Sequence, residues 1–188
     1  MIKRYTQVLV LMGLLLPVGA RAQVVDVSLG ENSAYFGYAM LVGGQSFGRS
    51  EAGLGFLYND QKNYMLTGSL QVVDEIGSKL PGTEAGVGLK LYGASAANDV
   101  LSIAVGGRIR LAIPSMQRLA LGATFFYSPD IISFFDVKKF IEFSGRVEYE
   151  LLPQASLFIG YQQFTGTTKS DVVFDVDKGL RLGGRIEF

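Results

Sequence analysis

Glu148 and Glu150 stand two positions apart in a stretch that alternates polar with apolar residues. On an extended strand they project from one face about 6.8 Å apart. That separation is near the one used by paired carboxylates in glycoside hydrolysis. Arg108, Arg110 and Arg146 fall on the polar faces of similar segments, where guanidinium groups could select small anions or zwitterions. Asp171, Asp175 and Asp177 put three carboxylates within seven residues. They lack the glycine-containing spacing of a dedicated calcium loop and read as a solvated acidic loop. Lys138 and Lys139 could meet lipid phosphates.

Chemistry beyond this is restricted by what is missing. The chain has no Cys and no His. Disulfides, thiolate metal sites and a Cys nucleophile are thereby excluded, as is every Ser-His-Asp arrangement. Glycine pairs such as Gly43-Gly44 and Gly106-Gly107 lead into no helix, so phosphate cradling is unsupported. No catalytic residue, cofactor or metal ligand is expected, and the carboxylate pair reads as salt-bridge partners. Lys and Arg number 17 against 17 Asp and Glu, with a pI near 6.3. This balance argues against nucleic acid as a partner.

The first 22 residues have the layout of a secretory signal peptide. Lys3 and Arg4 precede the apolar run from Val8 to Leu16, Pro17 interrupts it, and Ala20-Arg21-Ala22 is a small-x-small cleavage pattern. A nine-residue helix spans about 14 Å, under half of a roughly 30 Å hydrocarbon core. Cleavage before Gln23 is therefore expected rather than anchoring, and residues 23–188 form the single mature domain. Its 14 positive and 17 negative charges give a net charge of −3.

The mature sequence has a period of two. Leu101, Ile103, Val105, Ile109 and Leu111 alternate with Ser102, Ala104, Gly106, Arg108 and Arg110. Alternate side chains of a strand lie on opposite faces, so one face is apolar and the other carries the arginines. Ten segments repeat the pattern: 24–31, 34–43, 51–58, 63–73, 84–93, 100–113, 117–127, 140–152, 155–164 and 180–188. Such a series predicts an all-β barrel or sandwich.

Four features favour a transmembrane antiparallel up-and-down barrel over a soluble one. The polar face is filled by Gly, Ala, Ser and Thr, which suits a narrow lumen, and only 18% of residues are charged. Connections 128–139 and 166–179 are long, whereas 114–116 and 153–154 are tight, as outer loops and periplasmic turns would be. The connection 74–83 departs from this rule. Tyr58, Tyr64, Phe125, Tyr127, Phe143 and Tyr161 would form an outer aromatic girdle, with Tyr149 and Phe188 at the periplasmic interface. Finally, Arg181, Gly183, Ile186 and the terminal Phe188 form a pattern similar to the C-terminal assembly signal of outer-membrane barrels.

Ten strands are expected, with eight as the alternative. The lumen would then hold Asp26, Glu51, Glu84, Lys90, Arg108, Arg110, Arg118, Glu142, Arg146, Glu148, Glu150, Arg181, Arg185 and Glu187. A buried charge must be paired or hydrated, so these groups are expected to form a network that plugs the lumen or leaves it narrowly permeable to small solutes. The competing reading is a surface-binding or adhesion barrel acting through its outer loops. A soluble periplasmic lipid-binding barrel is a third.

The motifs Gly86-Val87-Gly88-Leu89-Lys90-Leu91-Tyr92, Tyr127-Ser128-Pro129-Asp130-Ile131-Ile132-Ser133 and Arg146-Val147-Glu148-Tyr149-Glu150-Leu151-Leu152-Pro153 resemble the YfaZ family of small bacterial outer-membrane proteins. The likeness covers most of positions 84–188. It implies an outer-membrane β-barrel and no particular activity. Expected partners are outer-membrane lipid, lipopolysaccharide and the barrel-assembly machinery, with the barrel a monomer.

Overall fold

The computed structural model describes residues 23–45, 48–61, 63–76, 82–96, 99–116 and 118–188. The expected signal peptide, residues 1–22, lies outside them. Ten long strands form one closed antiparallel barrel: β1 (Gln23–Gly30), β2 (Ser33–Gln45), β3 (Gly48–Asn59), β4 (Tyr64–Glu75), β5 (Glu84–Ser95), β6 (Asp99–Ala112), β7 (Leu119–Ser128), β9 (Val137–Leu152), β10 (Ala155–Thr168) and β11 (Val173–Glu187). The eleventh, β8 (Ser133–Phe135), is a three-residue strand. Each long strand pairs with its neighbours in sequence, and β1 pairs with β11 to close the ring. Closure leaves no open edge, which hydrocarbon would not tolerate. The ten-strand expectation holds, and the eight-strand alternative is set aside.

Two expected loops are largely strand. The segment 166–179 is a hairpin in which β10 runs to Thr168, β11 starts at Val173, and only 169–172 turn. Thr165, Thr167, Thr168 and Val173 are β-branched and suit a pleated surface better than a loop. The register slips once, between Phe164 and Thr165, so that Val176 is the additional residue on β11. Between 128 and 139, a 3-10 turn at Asp130–Ile132 is followed by β8, which continues β7 along β6. Connection length therefore does not distinguish the two ends of the barrel, since the connection 76–83, at the opposite end, is as long as any.

Side-chain facing decides the class instead. Outside the barrel, Leu54, Leu66, Leu70, Val87, Leu89, Val105, Ile159 and Leu182 are all exposed, up to 69% at Val87. An apolar surface that encircles the whole barrel has lipid as its solvent. Tyr58, Tyr64, Phe125 and Phe143 point outward toward the far end, and Tyr149 and Phe188 toward the end holding Gln23 and Phe188. Leu89 pairs with Leu70 and Val105 at the middle of the apolar band. Leu89→Arg should cost about 2–4 kcal/mol, and Leu151→Arg, at the band's edge, about 0–1 kcal/mol. Urea titration of both variants folded into vesicles checks this; equal costs would contradict the facing.

The glycine excess has a close-packing use. A Cβ on Gly106 would lie 2.1 Å from the carbonyl oxygen of Phe125, and one on Gly88 equally close to that of Leu70. Glycine at these positions lets neighbouring strands bend tightly around a small lumen.

Candidate functional site: the charged lumen

Three layers fill the lumen. Nearest Gln23 and Phe188 is a vestibule of about 290 Å³ bordered by Arg49, Glu51, Glu84, Arg108, Arg110, Glu150, Arg185 and Glu187. Two ion pairs reach over intervening strands of its wall: Arg49 on β3 to Glu84 on β5 at 2.5 Å, and Arg108 on β6 to Glu51 on β3 at 2.5 Å. Arg185 Nε donates to Glu187 Oε1 at 2.9 Å on its own strand.

The middle layer surrounds a chamber of about 190 Å³. Glu148, 1% exposed, accepts from Arg110 Nε at 2.8 Å and sits 2.6 Å from Arg146 Nε. Arg146 also donates to Asp26 at 2.8 Å, joining β9 to β1. Gly122 makes room for this reach: a Cβ there would lie 3.1 Å from Arg146 Cγ. Lys90 donates to both oxygens of Glu142, at 2.9 and 2.7 Å, and the Tyr92 hydroxyl donates to the same carboxylate. The ammonium lies 5.5 Å from the ring centres of Tyr92 and Phe126, and Arg146 sits 4.8 Å from that of Phe158. Cation–π contact adds to the pairing of these desolvated charges.

The far layer is apolar. Leu57, Met65, Tyr92, Phe140 and Phe164 are fully buried, and Phe126 and Val176 nearly so. The Phe140 ring lies 4.8 Å from Tyr92 and 6.5 Å from Phe164. Above it, Asn59 Nδ2 reaches across the seam to the Val176 carbonyl at 3.1 Å.

Of the side chains the sequence places inside, the barrel brings Asp26, Glu51, Glu84, Lys90, Arg108, Arg110, Glu142, Arg146, Glu148 and Arg185 into direct ion pairs. Glu150 borders the vestibule without joining Glu148 in a pair. Arg118 is a correction. β7 starts at Leu119 rather than at 117, so Arg118 falls in the preceding turn and is exposed. Asp177 is another: strand extension turns it inward, where it takes Arg181 at 2.6 Å, while Asp171 pairs with Lys138 at 2.8 Å. The acidic loop is thus dispersed over three environments. Lys138 holds the Asp171 carboxylate below its ordinary range through a hydrogen bond and charge.

Sequence reasoning missed Arg49, which lies just before the expected third strand, and the whole apolar layer. A signal for the latter exists. Phe126, Phe140 and Phe164 share the parity of Thr124, Glu142 and Gln162 on their strands, so large aromatics on a polar face mark the filled end.

The C-terminal residues take separate positions. Arg181, 4% exposed, also donates to Ser33 at 2.7 Å. Gly183 lies against the Phe158 ring, 2.4 Å from where a Cβ would stand. Ile186 and Phe188 face outward. Phe188 exchanges backbone hydrogen bonds with Gln23, at 2.7 and 2.9 Å, across the seam. Deleting Phe188 should leave the chain unassembled and protease-sensitive, measured as loss of the heat-modifiable band in membranes. Normal membrane yield would deny the residue that role.

A closed barrel with an apolar band outside and a charged lumen inside defines an integral outer-membrane β-barrel. Its sequence carries the mark of a particular family: the sequence model described as YfaZ precursor matches residues 4–188. The chain belongs to the YfaZ family. No curated protein matches it. Among solved structures, a chain from work on the mechanism behind the in-meso crystallization of membrane proteins has a TM-score of 0.50 at 12% identity, over 89% of this chain and 83% of that one. A KdgM porin has a TM-score of 0.45 at 13% identity, over 89% and 99%. The outer membrane channel DcaP of Acinetobacter baumannii has a TM-score of 0.45 at 9% identity, over 92% and 60%. These likenesses concern the fold.

Proposed function

We propose that the protein is a non-catalytic outer-membrane barrel whose lumen is closed at the far, outer end and open as a charge-lined pocket toward the periplasm. The observation that carries this reading is the apolar layer: Leu57, Met65, Tyr92, Phe140 and Phe164 stand inside the barrel with no exposed surface. A hydrated ion crossing it would lose its water with no polar group in exchange. Catalysis finds little support, because there is no His and Glu148 is held by two arginines.

In planar bilayers the purified barrel should be silent, and a Phe140→Ala, Phe164→Ala double variant should show discrete openings. Stable wild-type openings would replace this reading with a narrow pore. The surface-binding alternative draws on one feature, the exposed apolar tip at the outer end. Ile131 there is 85% exposed, and Phe135 adopts a left-handed backbone (φ 60°).

A further inference from the structure

Arg108 and Arg185 are the two residues that border the vestibule, the chamber and a small cavity of about 30 Å³ between them. They form the neck of the lumen. Charge is distributed unevenly on its two sides. In the vestibule the arginines are matched by as many glutamates. The chamber wall sets five cationic side chains against two carboxylates, Asp26 and Glu142, an excess of three positive charges. Two of these three are met by carboxylates outside the chamber wall, Arg108 by Glu51 and Arg181 by Asp177, and Arg146 takes Glu148 as well as Asp26. Arg185 is different. Its partner Glu187 is 55% exposed at the rim and engages only Nε, which leaves the terminal nitrogens for the cavity.

The chamber also contains unmet hydrogen-bonding capacity. Gln71 Oε1 and Arg181 Nε are buried in its wall without a partner. A buried donor without a partner, such as Arg181 Nε, carries a desolvation cost that an anion's oxygen would relieve, and the Gln71 oxygen, an acceptor, would take a proton carried by the guest, as on monohydrogen phosphate. At about 30 Å³ per water, 190 Å³ holds roughly six waters or a compact ion.

We propose that the chamber binds a small multivalent oxyanion, such as a phosphate or a compact polycarboxylate, held by the guanidinium of Arg185 with Arg108 and Arg146 beside it. A planar fork of donors matches the oxygens of such an anion, and the low-dielectric wall strengthens each contact. The direction of access, through the neck from the end that carries Gln23 and Phe188, rests on the closed-lumen reading above. The binding itself does not.

The test is calorimetric titration of inorganic phosphate, and separately of citrate, into the full folded chain in neutral detergent at low salt. At least one anion should bind saturably at one site. Arg185→Gln should weaken that binding about tenfold or more. Arg185→Lys should lose less, and Lys178→Gln, on the outer wall, should change nothing. Heat-modifiable gel mobility shows that each variant is folded, and Arg185→Lys carries the comparison if Arg185→Gln does not fold. Absence of saturable binding by the folded wild type with both anions would overturn the proposal. So would equal affinity in wild type and the folded Arg185 variants. An open pore in bilayers would refute the closed lumen while leaving this titration unaffected, so the two readings fail separately.

Discussion

Replacing Glu148 with alanine should destabilise the folded barrel by about 3–5 kcal/mol, the range for breaking a buried ion pair from one side. The carboxylate is 1% exposed and lies between Arg110 and Arg146. Its removal leaves two guanidinium groups in the lumen with one partner fewer each, and Arg146 keeps only Asp26. The attraction lost is only part of the cost; the larger part is the burial of charge without compensation. Lys178→Ala provides the contrast, because Lys178 and its partner Asp175 are both exposed, 51% and 39%, and an exposed pair contributes about 0–1 kcal/mol. Urea titration followed by tyrosine fluorescence measures both. Equal losses would mean that water, not the protein, already satisfies Glu148.

Phe140→Ala should cost a comparable about 3–5 kcal/mol, by a different route. Its ring is fully buried against Tyr92 and Phe164. Truncation leaves a cavity that the closed ring of strands cannot collapse to fill, so both the transfer and the cavity contributions are lost. Phe143, three residues on, points outward and is 46% exposed. Lipid chains fill the space its truncation creates, and its loss should be clearly smaller. Matching losses at the two positions would place Phe140 outside the packed layer, and with it the barrier assigned to that layer.

These predictions depend on which side of the wall a residue occupies, and that much was legible in the sequence. Alternation put Arg108, Arg110, Arg146 and Glu148 on one face and Leu89, Val105 and Leu121 on the other, since a strand's period is two and a register slip of one residue would reverse every side chain. Strand ends were less legible. Thr167, Thr168, Asp175 and Asp177 give 166–179 the polar, acidic character of a loop, although most of it is strand. Beyond the apolar band, however, a hairpin needs only β-forming residues and satisfied backbone. Arg49 and Arg118 changed sides of the expectation for the same reason, each lying within two residues of a misplaced boundary.

The sequence by itself determined the class of the protein: ten alternating segments, apolar on one face and small or charged on the other, define a barrel with lipid outside. It also determined the set of charges that must share the interior. Partner choice was decided only by the tertiary structure. Asp26 and Arg146 are 120 residues apart and meet because closure of β1 on β11 brings β9 within reach of β1. The division of the lumen into a charged inner pocket and an apolar outer layer was likewise hidden. Phe126, Phe140 and Phe164 lie on three strands, and only the barrel's stagger carries them to one height, where together they displace the water that each alone would leave in place.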